Sequence, residues 1–104
     1  MTNETIQEIL VNDQNELLLK LIGNGKPIYQ YVYREAAGVY WDENLKGFKS
    51  TPIKEWTVSE WFLHITDIVK SSLCVELKID DNLTWSNVPD NEIIKIKNAL
   101  QQRV

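Results

Sequence analysis

His64 is the only histidine of the chain, and so the only side chain whose ordinary pKa lies near neutrality. Glu60 lies four residues before it and Asp67 three after, which on a helix places all three in one sector. Two chemistries fit that spacing: half of a metal site, or a histidine oriented by carboxylates for acid–base work. Catalytic zinc usually takes three protein ligands, and one histidine with two carboxylates of its own helix is a poor substitute. No metal and no cofactor are therefore expected. The plainer reading makes His64 a boundary residue beside Trp61 and Ile68, salt-bridged at the helix surface. No catalytic residue is assigned; if the chain does acid–base chemistry, His64 is the one to test first.

Other nucleophiles fare no better. Cys74 falls at the C-terminal end of the same helix, where the helix dipole disfavours a thiolate, and is expected to be a buried structural cysteine. Ser59 and Ser71 lie near His64 without a feature that marks either as a nucleophile. Gly23-Asn24-Gly25 is followed by neither a third glycine nor a Lys-Ser/Thr pair, so it is no phosphate loop.

The aromatic residues are the stronger signal. Ten residues are Phe, Trp or Tyr, and nine of them fall between Tyr29 and Phe62. Each such ring buries roughly 150–250 Å² when packed, so this third of the chain forms the core, a binding surface, or both. Tyr29, Tyr31 and Tyr33 alternate with Ile28, Gln30, Val32 and Arg34, the period of a strand. The tyrosine face is expected to pack under the helices, leaving the Gln30 and Arg34 face solvated or used for self-association. A stacking platform for nucleic acid needs basic neighbours, but Glu35, Asp42, Glu43 and Glu55 offset Arg34, Lys46, Lys49 and Lys54. The residues singled out for a ligand pocket or an interface are Tyr31, Tyr40, Trp41, Trp61 and Arg34.

These residues must be positioned by elements that the patterning outlines. The N-terminal third reads as helical: Thr5 and Glu8 form a capping box before Ile9, Leu10 and Val11. Asp13 and Glu16 start a second helix carrying Leu17, Leu18, Leu21 and Ile22, although Ile6, Leu10, Leu17 and Leu21 also suit one helix bent at Asn12. Gly23-Asn24-Gly25 stops it. Pro27 opens the tyrosine strand. Val39-Tyr40-Trp41 forms a second strand, Asp42-Glu43-Asn44 a turn, and Leu45 to Ser50 a third strand. Thr57-Val58-Ser59-Glu60 is a strong capping box. The helix it opens, Thr57 to Cys74, carries Val58, Trp61, Phe62, Ile65, Ile68, Val69 and Ser72 along one stripe. Val75, Leu77 and Ile79 alternate as a strand. Leu83-Thr84-Trp85 is a short returning strand or a loop, and Pro89 to Glu92 start a final helix. The expected fold is α+β. It has an antiparallel sheet of three to five strands with helices packed mainly on one face, in the order α(α)–β–β–β–α–β–α.

At 104 residues the chain reads as one domain, 1–104. A formal net charge of −4 argues against a nucleic-acid partner. One cysteine allows no internal disulfide and fits a reducing cytoplasm. Met1-Thr2-Asn3-Glu4 has no basic segment leading into an apolar run, so no signal peptide is expected. Unbroken apolar runs stop at three residues, such as Leu17-Leu18-Leu19, so no membrane span and no membrane partner are expected.

The stretch Tyr29 to Ile65 contains Tyr-Arg-Glu-Ala-Ala-Gly-Val-Tyr-Trp-Asp and then Glu-Trp-Thr-Val-Ser-Glu-Trp-Phe-Leu-His-Ile. It resembles short bacterial proteins of the kind carried on integron mobile gene cassettes. The resemblance implies a bacterial cytosolic accessory protein and carries over no catalytic residue. The function expected from the residues is a non-enzymatic binding or interaction module that self-associates or binds a protein. Two alternatives stand beside it. One is a small enzyme or small-molecule-binding protein whose pocket is lined by Tyr31, Tyr40, Trp41 and Trp61, with His64 as acid–base. The other is an acidic immunity or antitoxin-type protein neutralising a basic partner.

Overall fold

The N-terminal third is a β-hairpin, not a pair of helices. In the computed structural model, which describes residues 2–35 and 37–102, β1 (Thr2–Val11) pairs antiparallel with β2 (Leu17–Leu21). The five polar residues between them, Asn12 to Glu16, make the turn. Asn12 Oδ1 accepts the backbone N–H groups of Gln14 and Glu16 at 3.0 and 2.9 Å, and Asn15 adopts a left-handed φ of 62°. Residues that compete with a helix by bonding their own backbone thus close a hairpin. The pairing register shifts between Ile6 and Glu8. That irregularity places Ile6 and Ile9 both in the core although they lie three apart, a helical spacing produced by a bulged strand. β2 is nearly continuous in burial, because Leu17, Leu19 and Leu21 join the main core while Leu18 is covered on the other face, opposite Leu10 and Lys49.

The tyrosine stretch is not a strand either. Pro27–Glu35 is a 3₁₀ helix, in which residues three apart align. Tyr29 and Val32 therefore share the buried side, whereas Tyr31 and Tyr33 are 41% and 51% exposed. The expectation that three tyrosines pack together under the helices fails for this reason. Strands β3 (Val39–Asp42) and β4 (Gly47–Ser50) follow as an antiparallel pair, and β4 continues the sheet onto β2.

Helix α1 (Val58–Leu73) forms as its sequence dictates, with Thr57 as N-cap and the full reciprocal capping box between Thr57 and Glu60. Its buried stripe is Val58, Trp61, Phe62, Ile65 and Val69. Strands β5 (Val75–Lys78) and β6 (Thr84–Ser86) come next, then helix α2 (Asp90–Gln102). Both strands run parallel to β1: β5 along Thr2–Thr5, β6 along Glu8–Leu10. β6 therefore does not return as a hairpin partner of β5 but carries on in the same direction. The architecture is α+β, with a mixed six-stranded sheet rather than an antiparallel one, running β3-β4-β2-β1-β5 with β6 also on β1. No helix among the described residues is long and apolar enough to cross a membrane.

Candidate functional site

Trp56 immediately precedes the N-cap of α1, and Trp61 and His64 lie one and two turns into that helix. Their rings pack as a triad. Trp56 lies 4.9 Å from Trp61 and 4.9 Å from His64, and Trp61 lies 5.6 Å from His64. These spacings and tilts suit edge-on aromatic packing. His64 Nε2–H donates to the Ala37 carbonyl at 2.8 Å. A carbonyl can only accept, so the proton sits on Nε2 and the ring is fixed in orientation. Glu60 is spent on the N-cap, accepting from the Thr57 backbone N–H and hydroxyl at 3.1 Å. The expected salt bridge of His64 is thus replaced by a backbone carbonyl. Among the described residues no cluster of His, Cys, Asp and Glu is arranged to hold a metal ion.

Trp61 is 9% exposed and Trp56 is 42% exposed. They form one wall of an open cleft of about 340 Å³ completed by Thr51, Pro52, Lys54 and Glu55. His64 touches both rings but is not among the residues that line the cleft. The remaining predicted site residues are dispersed. Arg34 stacks over the exposed Tyr31 ring at 4.3 Å on the 3₁₀ helix. Trp41 packs against Tyr29 and Phe48 at 5.3 and 4.9 Å and donates its Nε1–H to Glu43 at 2.6 Å. Tyr40 is the next residue along the same strand, so its side chain falls on the opposite face, paired with Lys49. Tyr40 and Trp41 therefore cannot line one pocket. Cys74 is exposed, not buried, because it ends α1 in a left-handed conformation (φ 57°) that turns the chain into β5.

Three features escaped sequence reasoning. Trp56 lies outside both flanking elements, so no periodicity flags it. Tyr29 buries its ring yet donates its hydroxyl to Glu4 Oε2 at 2.6 Å; burial, then the Glu4 carboxylate, push that phenol well above its usual range. Glu92, in the first turn of α2, accepts the backbone N–H and hydroxyl of Ser59 at 2.9 and 3.2 Å and pairs with Lys95 at 3.2 Å. Ser59 and Glu92 are distant in sequence, and nothing local joins them.

A family model described as Integron Cassette Protein Hfx_Cass5 matches residues 8–83. The chain belongs to this family. A solved structure of an Integron Cassette Protein Hfx_Cass5, from the mobile metagenome of North West Arm Sewage Outfall, is similar at 26% identity. It covers 97% of this chain and 98% of its own, with a TM-score of 0.44. No protein of curated function matches. The resemblance drawn from Tyr29 to Ile65 holds, since that stretch lies wholly inside the Hfx_Cass5 match. The match also takes in the aromatic triad and its cleft, and leaves α2 outside.

Proposed function

We propose that this Hfx_Cass5 protein is a non-enzymatic interaction module that self-associates and offers the Trp56 cleft to an extended apolar segment of a protein partner. The single observation behind this reading is the placement of Trp56. A large aromatic ring stands 42% exposed on a rigid aromatic base, at the mouth of an open cleft beside Pro52. Partly exposed aromatics on a fixed support are the usual anchors of interfaces, and shallow aromatic-lined grooves suit extended peptides. The enzymatic alternative draws less support. Its acid–base candidate, His64, holds the Ala37 carbonyl and does not line the cleft.

Panning displayed peptides against the protein tests this reading, with Trp56→Ala as counter-selection. A consensus segment that binds the wild type and weakens at least about tenfold with Trp56→Ala is expected, the loss typical of a truncated anchor. No consensus, or one indifferent to Trp56, sinks it.

A further inference from the structure

An indole N–H is a donor that usually finds an acceptor when the ring is buried. Trp41 finds Glu43. Trp56 and Trp61 find no acceptor among the described residues. Trp61 is only 9% exposed, yet no buried side-chain nitrogen or oxygen among the described residues lacks a partner. The small part of Trp61 that reaches solvent therefore includes Nε1, and Trp61 lines the cleft. Trp56 stands beside it, with its ring 4.9 Å away. Two indole donors on one rigid base are thus left for acceptors from outside the chain. Lys54 adds an exposed ammonium with no ion-pair partner among the described residues. Of the side chains that line the cleft, only the exposed Glu55 is purely an acceptor.

The geometry points to a proline-containing segment of a protein partner, held in the polyproline II conformation, as the occupant of this cleft. An α-helix spends its carbonyls on its own backbone and has none for the indoles. A β-strand brings as many N–H donors as carbonyls, and those donors need acceptors that the lining side chains, Glu55 apart, do not offer. Polyproline II has no internal hydrogen bonds, so every carbonyl is free, and each proline removes an N–H. Acceptors without donors are the complement of the indole pair. The prolyl rings supply the apolar surface that Trp56 and Pro52 call for. Entropy favours the same occupant. The cleft is open and, at about 340 Å³, lies at the small end of ligand pockets, roughly 300–1,000 Å³. It covers little of any segment laid in it, so one already stiff in its bound conformation loses least on docking.

This deepens the reading of the Trp56 cleft above and rests on it. An NMR titration of the isotope-labelled full chain with deca-L-proline tests it through the two indole N–H signals, with a Gly-Ser peptide of equal length as control. Deca-L-proline is expected to bind with a Kd between about 0.01 and 1 mM and to shift both signals saturably. The control is expected to shift neither. Trp56→Phe and Trp61→Phe each keep a ring and remove a donor, and together they assign the two signals. Each is expected to weaken binding about threefold to tenfold, the loss of one hydrogen bond. Trp56→Ala is expected to weaken it at least about tenfold. Circular dichroism checks that each variant is folded. Binding that leaves both indole signals in place, or that Trp56→Ala does not weaken, overturns the proposal. A panned consensus without proline, together with inert deca-L-proline, overturns it as well but leaves the cleft reading standing. If no panned segment depends on Trp56, both readings fall together.

Discussion

Glu92 shows how one side chain joins two elements. Burial raises the pKa of its carboxyl, but the Ser59 backbone N–H, the Lys95 ammonium and the Ser59 hydroxyl outweigh that cost. The group ends below its ordinary value of 4.5. A carboxylate held at the first turn of α1 also meets the positive end of that helix. Because its folded pKa is depressed, Glu92 adds stability above its unfolded value and loses it as pH falls through the folded one. Glu92→Gln is expected to cost about 1.5–3 kcal/mol at neutral pH, the range for hydrogen bonds to a charged group. The cost should shrink in acid. Urea midpoints of both proteins at about pH 7 and about pH 3 check this, and a pH-independent gap would show that the charge is idle.

At the scale of the element, helix ends and turns carry the strain. Asn15, Lys46, Cys74 and Asn87 all adopt positive φ without being glycine. At Cys74 that conformation closes α1, with the Cys74 N–H donating to the Lys70 carbonyl at 3.1 Å. A left-handed residue with a Cβ costs about 1–2 kcal/mol, and glycine returns part of that gain through its freer unfolded chain. Cys74→Gly is therefore expected to stabilise the protein by about 0.5–1 kcal/mol, raising Tm by a few degrees in calorimetry. A lower Tm would mean that the thiol makes a contact worth more than the strain. Gly25 shows the opposite case, since a Cβ there would lie 2.6 Å from the Trp41 ring.

At the scale of the whole molecule, the core gathers around α1, which packs on the sheet, the 3₁₀ helix and α2. Trp61 sits where several of these meet. It supports Trp56 and His64, and Gly38 approaches it so closely that a Cβ there would lie 3.1 Å from its ring. Trp61→Ala is expected to cost about 3–5 kcal/mol, the range for large aromatic truncations in cores. It should also disorder the cleft by removing the base of Trp56. Denaturant titration gives the first quantity, and a loss below about 1 kcal/mol would show that α1 is not the central helix.

What the sequence determined by itself is what local physics controls. The box from Thr57 to Glu60 needs only residues three apart, so α1, its start and its buried stripe were legible, as were β3, β5 and the final helix. The hairpin was not, because the bulge after Ile6 sets apolar residues three apart and β2 is apolar on both faces. Only its pairing with β1 and β4 distinguishes that run of leucines from a buried helix. Tyr29, Tyr31 and Tyr33 read as a strand from their alternation. The same segment places Tyr29 and Val32 three apart, and the tertiary structure chose that period by placing Glu4 within reach of the Tyr29 hydroxyl and Trp41 and Phe48 around its ring. The site followed the same division. Aromatic crowding was visible in the residues, whereas the carbonyl that His64 reaches, 27 residues away at Ala37, was not. Which rings meet, which face Tyr40 takes, and that β5 ends the row beside β1 depended on contacts between segments far apart in sequence, whose formation no local period encodes.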